Sequence, residues 1–254
     1  MGNYYLAVDI GASSGRHILA ELKNGRMELE EVYRFQNGMQ ERNGALCWDH
    51  EYLFREIKNG LKKCKELGKI PQSVSVDTWG VDFVLLDQED RVLGDTVGYR
   101  DSRTQGMTEK VETIISQEEL YKRTGVHWQL YNTIYQLEAI KETHPEYLEA
   151  AESILMTPDY FHFLLSGEKH MEYTIASTSQ LVSAASGDWD WELLDLLGFP
   201  KKIFRPVSMP GTVAGHLRKE VQEEVGFDCK VVLPASHDTG SAVLAVPAKG
   251  EDVV

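Results

Sequence analysis

Much of what would assign this chain quickly is missing from it. Three cysteines, Cys47, Cys64 and Cys229, are odd in number and show no C-x-x-C spacing. That excludes a disulfide framework and a cysteine-built zinc site, and it fits reduced core thiols of a cytoplasmic protein. Lysine and arginine total 26 against 40 aspartates and glutamates, a net charge of −14. A chain short of cations lacks the means to neutralise a phosphate backbone, so no nucleic-acid partner is expected. No run approaches the roughly 18 apolar residues of a membrane span. The opening MGNYYL has no basic n-region, and Leu6 stands where myristoylation needs Ser or Thr, so no membrane partner is expected either. G-x-x-x-x-G-K-[ST] and G-x-G-x-x-G are both missing, which removes P-loop and dinucleotide readings.

What is present reads as an ordinary globular chain, 42% apolar and 26% charged over 254 residues, with no repeat or Pro/Gly linker. YYLAVDI predicts a buried strand. HILAEL, Asn24-Gly25 and RMELEEVYRF predict a second strand, a two-residue turn and a third. The Gly/Ala/Ser-rich stretch Asp9–Arg16 therefore joins two strands of one meander, instead of running from a strand into a helix as most phosphate loops do. WDHEYLFREIKNGLKKCKELG predicts a helix with Asp49 as cap, an apolar stripe of Leu53, Phe54, Ile57, Leu61 and Cys64, and Gly68 as stop. QSVSVDTWGVDFVLLDQEDRVLG predicts two strands around Thr78-Trp79-Gly80. Strand-strand-strand-helix-strand is the order of a ribonuclease-H-like α/β fold, a mixed sheet with helices on its faces.

The middle of the chain is more helical. SQEELYKRTG opens with the capping box Ser116/Glu119 and stops at Gly125. NTIYQLEAIKETHP puts Ile134, Leu137 and Ile140 on one face. TPDYFHFLLSG has Thr157 as expected cap, Pro158 at the first helical position and Gly167 beyond the end. DWDWELLDLLG is a short helix whose tryptophans suit packing. DCKVVLPASHDTGSAVLAV predicts a strand, a polar turn and a helix start.

Four polar clusters interrupt these patterns: Asp9 with Ala12, Ser13, Ser14, Gly15 and Arg16; Asp77 and Asp82 around Trp79-Gly80; YRDSR at 99–103; and SHDTGS at 236–241. Each has a structural reading. Asp9 could cap a turn, Asp77 and Asp82 could form one, YRDSR could be a solvated ion-pair cluster, and His237-Asp238 could begin the last helix. Jointly they suit phosphoryl transfer, which asks for backbone donors to phosphate, a carboxylate near Mg²⁺ and a base for a hydroxyl proton.

VDIGASSGR, DTWGVDFVLLD, YRDSRT, MTPDYFHFLLSG, EYTIASTSQL and ASHDTGSAV closely resemble segments of the FGGY carbohydrate kinases, in the branch acting on L-rhamnulose, within the actin-like ATPase superfamily. The resemblance runs in register along nearly the whole chain. It implies a five-stranded mixed sheet with flanking helices and a helical insertion, and a single N-terminal, sugar-binding kinase domain over 1–254. It implies ATP and Mg²⁺ as cofactors, with Ala12, Ser13, Ser14, Gly15 and Arg16 at the ATP phosphates and Asp9 near the metal. Trp79, Gly80, His237, Asp238 and Thr239 are implied as substrate contacts, with Asp238 the proton acceptor, and the ketose substrate is L-rhamnulose or a close relative such as L-fuculose. Arg100, Asp101 and Arg103 receive no role beyond shaping the site. The family carries a second actin-like domain, whose first strand is expected near GEDVV, so 1–254 alone is expected to be inactive. A non-catalytic sugar-binding or actin-like assembly domain is the rival reading.

Overall fold

The computed structural model describes residues 3–248; GEDVV, where a following domain is expected to begin, lies outside them. The expected meander forms, with β1 (Tyr4–Ile10), β2 (Ser14–Lys23) and β3 (Arg26–Gln36), although β1 is buried only at Leu6, Val8 and Ile10 and not along its whole length. Asn24 and Gly25 turn the second hairpin with φ of 50° and 75°, the left-handed pair that a tight turn between twisted strands requires. A short hairpin of two three-residue strands follows, β4 (Gln40–Arg42) and β5 (Ala45–Cys47), and then α1 (His50–Glu66). Asp49 caps α1 by accepting the Tyr52 amide at 2.9 Å, and the stripe Leu53, Ile57, Leu61 and Cys64 is fully buried. β6 (Ser73–Thr78) returns beside β1 in parallel register, Asp9 opposite Asp77.

The segment after Gly80 does not pair back onto β6. Val81 takes a left-handed φ of 69° and turns the chain out of the sheet, so β7 (Phe83–Leu86) pairs instead with β8 (Ser153–Met156) in a small separate ladder. All four residues of each strand are buried, which is why neither shows alternation. Between them run α2 (Met107–Glu112), α3 (Gln117–Thr124), α4 (Thr133–Thr143) and α5 (Pro145–Ala150). α3 has the expected Ser116 cap and Gly125 stop. α6 (Thr157–Ser166) begins one residue earlier than expected: Met156 holds the cap position, and the Thr157 hydroxyl donates to the Asp82 carbonyl instead of capping. The remainder comprises α7 (Tyr173–Ser177), α8 (Trp191–Leu197), β9 (Val213–His216), α9 (Lys219–Val225), β10 (Lys230–Val232) and α10 (Asp238–Leu244).

The main sheet has the order β3-β2-β1-β6-β10-β9, six strands where five were expected. The added strand is β9, a short antiparallel edge on β10. Leu6, Val8, Ile10, Val74, Val76 and Val231 of this sheet share one core with Leu53, Ile57 and Leu61 of α1, Phe161 and Leu165 of α6 and Val221 of α9. The insertion packs a second core around Ile134 and Leu137 of α4, Ile154 and Met156 of β8, Ile175 of α7, and Leu193 with the buried Trp189. No helix among the described residues is long and apolar enough to cross a membrane.

Three histidines lie inside these layers. Burial pushes His17 and His50 down to about 4 and His162 to about 3. His17 hydrogen-bonds the Ile57 carbonyl (3.1 Å), and Nε2 of His162 accepts the Val76 amide (3.1 Å), which requires a free lone pair there. All three are neutral in the fold, whereas the unfolded chain protonates them near pH 6.5. Stability from this source is therefore present above about pH 6.5 and drains as pH falls towards 4. Thermal melts should show the midpoint dropping steeply between pH 6.5 and 4.5, as stability falls by on the order of several kcal/mol in total. A flat profile across that window would show that these rings are not buried neutral.

Candidate active site

The carboxyl ends of β1 and β6, together with the turn from β10 into α10, meet at one edge of the sheet, the place where α/β folds bind ligands. Asp9 is a strand residue there and not a turn cap. Arg16, paired across from it on β2, grips its carboxylate through Nε (2.8 Å) and Nη2 (2.7 Å). Asp9, Arg16, Asp77, Asp238, Thr239 and Ser241 line an open cleft of about 520 Å³. Burial, then the nearby carboxylates of Asp9 and Asp238, push Asp77 up to about 8. Carboxylate oxygens suit a hard divalent cation, and three acids surround this one space, Asp77 among them kept protonated chiefly by its burial. Among the described residues no three such groups converge closely enough to ligate a metal directly.

The Gly-rich loop is shorter than the sequence suggests. Ser14, Gly15 and Arg16 belong to β2, leaving Gly11, Ala12 and Ser13 as the tip, closed by Gly11 N donating to the Ser14 carbonyl (2.9 Å). Among the described residues the Ala12 and Ser13 amides donate to no protein acceptor, which leaves two backbone donors for an anion. Gly15 is needed for packing: a Cβ there would lie 2.1 Å from the Phe35 ring.

A second cleft of about 490 Å³ lies alongside, lined by Trp79, Gly80, Tyr99, Tyr131, Asn132 and His237, with Thr178 at its wall. Trp79 stacks on Trp48 with ring centroids 4.0 Å apart. Asp82, expected at a turn, is fully buried beneath them and acts as a hub. Its carboxylate accepts Trp48 Nε1 (2.6 Å), Trp79 Nε1 (2.9 Å), Tyr99 N (3.1 Å) and Gln136 Nε2 (3.1 Å). Burial pushes its carboxyl up, while these donors pull it back down.

The two clefts meet at consecutive residues. His237 faces the aromatic one and Asp238 the acidic one, with Nε2 and Oδ1 3.5 Å apart. His237 does stand at the cap position of α10, but its side chain caps nothing; Asp238 is the first helical residue and accepts the Thr239 amide at 2.6 Å. Burial lowers the His237 pKa, so the ring is neutral at physiological pH. The structure thus gathers Asp9, Arg16, Asp238 and Thr239 in one cleft and Trp79, Gly80 and His237 in the other.

YRDSR divides between cleft and scaffold. Tyr99 lines the aromatic cleft, and Arg100 lies over its ring at 5.3 Å. Asp101 accepts the Leu46 and Arg103 amides, both at 2.8 Å, while Arg103 donates to Val97 O (3.2 Å) and Gln136 Oε1 (2.5 Å). This is a bracing network and not a solvated ion-pair cluster. Tyr131, Asn132 and Thr178 lie outside the four polar clusters of the sequence, whereas Tyr99 belongs to one of them as the first residue of YRDSR.

The architecture, a six-stranded mixed sheet with helices on its faces, is matched by the comparisons with known proteins. The chain belongs to the FGGY family of carbohydrate kinases, whose N-terminal domain matches residues 4–245. It is 53% identical over 251 residues to a rhamnulokinase of Halalkalibacterium halodurans, covering 99% of this chain and 54% of that protein. A rhamnulokinase of Oceanobacillus iheyensis is 51% identical over 248 residues, covering 98% and 53%. The chain thus spans about half the length of the curated relatives it matches. Among solved structures, a xylulose kinase from Rhodospirillum rubrum superposes with a TM-score of 0.85 at 21% identity, over 97% of this chain and 51% of that one, a likeness of fold.

Proposed function

We propose that this domain is the sugar-holding half of an ATP-dependent kinase that phosphorylates L-rhamnulose to L-rhamnulose 1-phosphate in L-rhamnose catabolism. L-fuculose is the nearest alternative substrate. The observation that supports this reading best is the junction of the two clefts at His237-Asp238, where a hydroxyl held against Trp79 and Gly80 can be deprotonated next to a phosphate-sized space. ATP and Mg²⁺, when bound, supply the transferable phosphoryl group and neutralise its charge. The free amides of Ala12 and Ser13 hold phosphate oxygens, Ser14 and Arg16 flank them, and Gly15 lets the strand sit flat on Phe35. Asp9, its carboxylate oriented by Arg16, would hold Mg²⁺ when the metal is bound. His237 and Thr239 fix the sugar, and Asp238 accepts the proton of the attacking hydroxyl as its oxygen bonds to the γ-phosphorus and ADP departs.

Positioning of this kind is completed when a partner domain closes and excludes water. The test is therefore an ADP-release screen of the two-domain protein against a panel of ketoses. Release with L-rhamnulose in preference to other ketoses is expected. Sugar binding without ADP release from any member would assign the domain to non-catalytic carbohydrate recognition.

A further inference from the structure

The five-residue helix α7 touches both walls of the site, one at each end. At its start, Glu172 is fully buried and its carboxylate accepts Thr174 N (2.9 Å), Ile175 N (3.1 Å), Thr174 Oγ1 (2.6 Å) and Ser236 N (3.0 Å). The last bond crosses to the β10–α10 turn. Thr174 extends the connection by one residue, its hydroxyl accepting the His237 amide at 3.1 Å. The same turn is held from the opposite side by β6, where Thr78 N donates to the Ser236 carbonyl (3.0 Å). At the other end of α7, Thr178 accepts the Val81 amide at 2.9 Å and leaves so little room that a Cβ on Gly80 would lie 3.0 Å from its methyl group. One rigid turn of helix thus joins the segment before Asp238 to the segment carrying Trp79 and Gly80, and no side chain of the sequence-derived set makes that connection.

We infer that α7 is a spacer fixing the distance between the sugar wall and Asp238, with Glu172 and Thr174 as positioning residues for Asp238 and Thr178 as the positioning residue for Gly80. The inference rests on the kinase reading above. A buried carboxylate accepting four donors has no freedom to shift, because moving it leaves buried donors without partners. The His237 amide is held only through the Thr174 hydroxyl, so this bond is the thinnest part of the connection. Misplacing a reacting group by about 1 Å can cost on the order of 10²-fold in rate.

Thr174→Val keeps the shape and removes the hydroxyl. In the two-domain kinase it should lower kcat by about 10- to 100-fold. KM for sugar and ATP should stay within about threefold, since neither cleft loses a lining group, and Thr174→Ser should restore kcat to within about threefold of wild type. In chain 1–254, measured by hydrogen exchange, Thr174→Val should speed exchange of the His237 amide while leaving protection of β1 and β6 unchanged. A Thr174→Val kcat within threefold of wild type overturns the inference, as does a fall in kcat without faster His237 exchange or without rescue by serine. A wild-type protein inactive on every ketose would sink the kinase reading, and the exchange result would still decide whether Thr174 holds the turn.

Discussion

Asp238→Asn is expected to lower kcat of the two-domain kinase by about 10²- to 10⁴-fold, the usual scale of general base catalysis. The amide keeps the shape of the carboxyl group and cannot take a proton from the sugar hydroxyl. Its oxygen can still accept the Thr239 amide, the 2.6 Å bond that Asp238 makes at the start of α10. Asparagine serves helix starts about as well as aspartate, so a purely structural Asp238 would leave activity nearly intact. Sugar affinity should change little, because Trp79, Gly80 and His237 line the aromatic cleft independently of Asp238. Steady-state kinetics with calorimetric sugar binding separate the two outcomes. A kcat within a few-fold of wild type would remove Asp238 as the base.

Asp82→Ala is expected to be the most destabilising single change near the site. The side chain is fully buried and accepts from two indole N–H groups, one backbone amide and the Gln136 amide. Deleting it strands those donors, and the charge of Arg103, bonded to Gln136, loses the nearby buried carboxylate. Breaking such a buried polar network costs about 3–5 kcal/mol. For a chain of this size that lowers the melting midpoint by on the order of 10 °C. Trp79 also loses the bond that fixes its indole, so sugar binding should weaken even where the variant remains folded. Thermal unfolding and sugar titration read the two effects separately, and a midpoint within about 2 °C of wild type would show that the hub carries no such energy.

What the sequence determined by itself was whatever repeats over enough residues or demands a special backbone. The apolar run of β1, the left-handed Asn24-Gly25 turn, the capped stripe of α1 and the Ser116/Gly125 bounds of α3 are local facts, written in residues a few positions apart. The motif residues Asp9, Trp79, His237 and Asp238 stood out because polar groups interrupt apolar strands, and the resemblance to known kinases put roles on them. β4, β5 and β9 are three or four residues long, too short to show a period, and α9 buries only Val221 and Val225. β7 is buried throughout, so nothing in its pattern tells whether it pairs with β6 or with β8, some seventy residues away. The tertiary structure decided that question, since Val81 turns the chain out of the main sheet.

The same limit applies to single residues. Gly15 reads as a phosphate-loop glycine until Phe35 occupies the space its side chain would need. Asp82 reads as a turn former until Trp48, the Tyr99 amide and Gln136, from three other segments, join its neighbour Trp79 in donating to it. Nothing near Glu172 in the chain shows that its carboxylate, besides capping α7, accepts an amide of the β10–α10 turn from sixty-four positions away. Local chemistry is readable in the chain because its causes are local, whereas a hub or a strut is defined by partners that only folding brings within 3 Å.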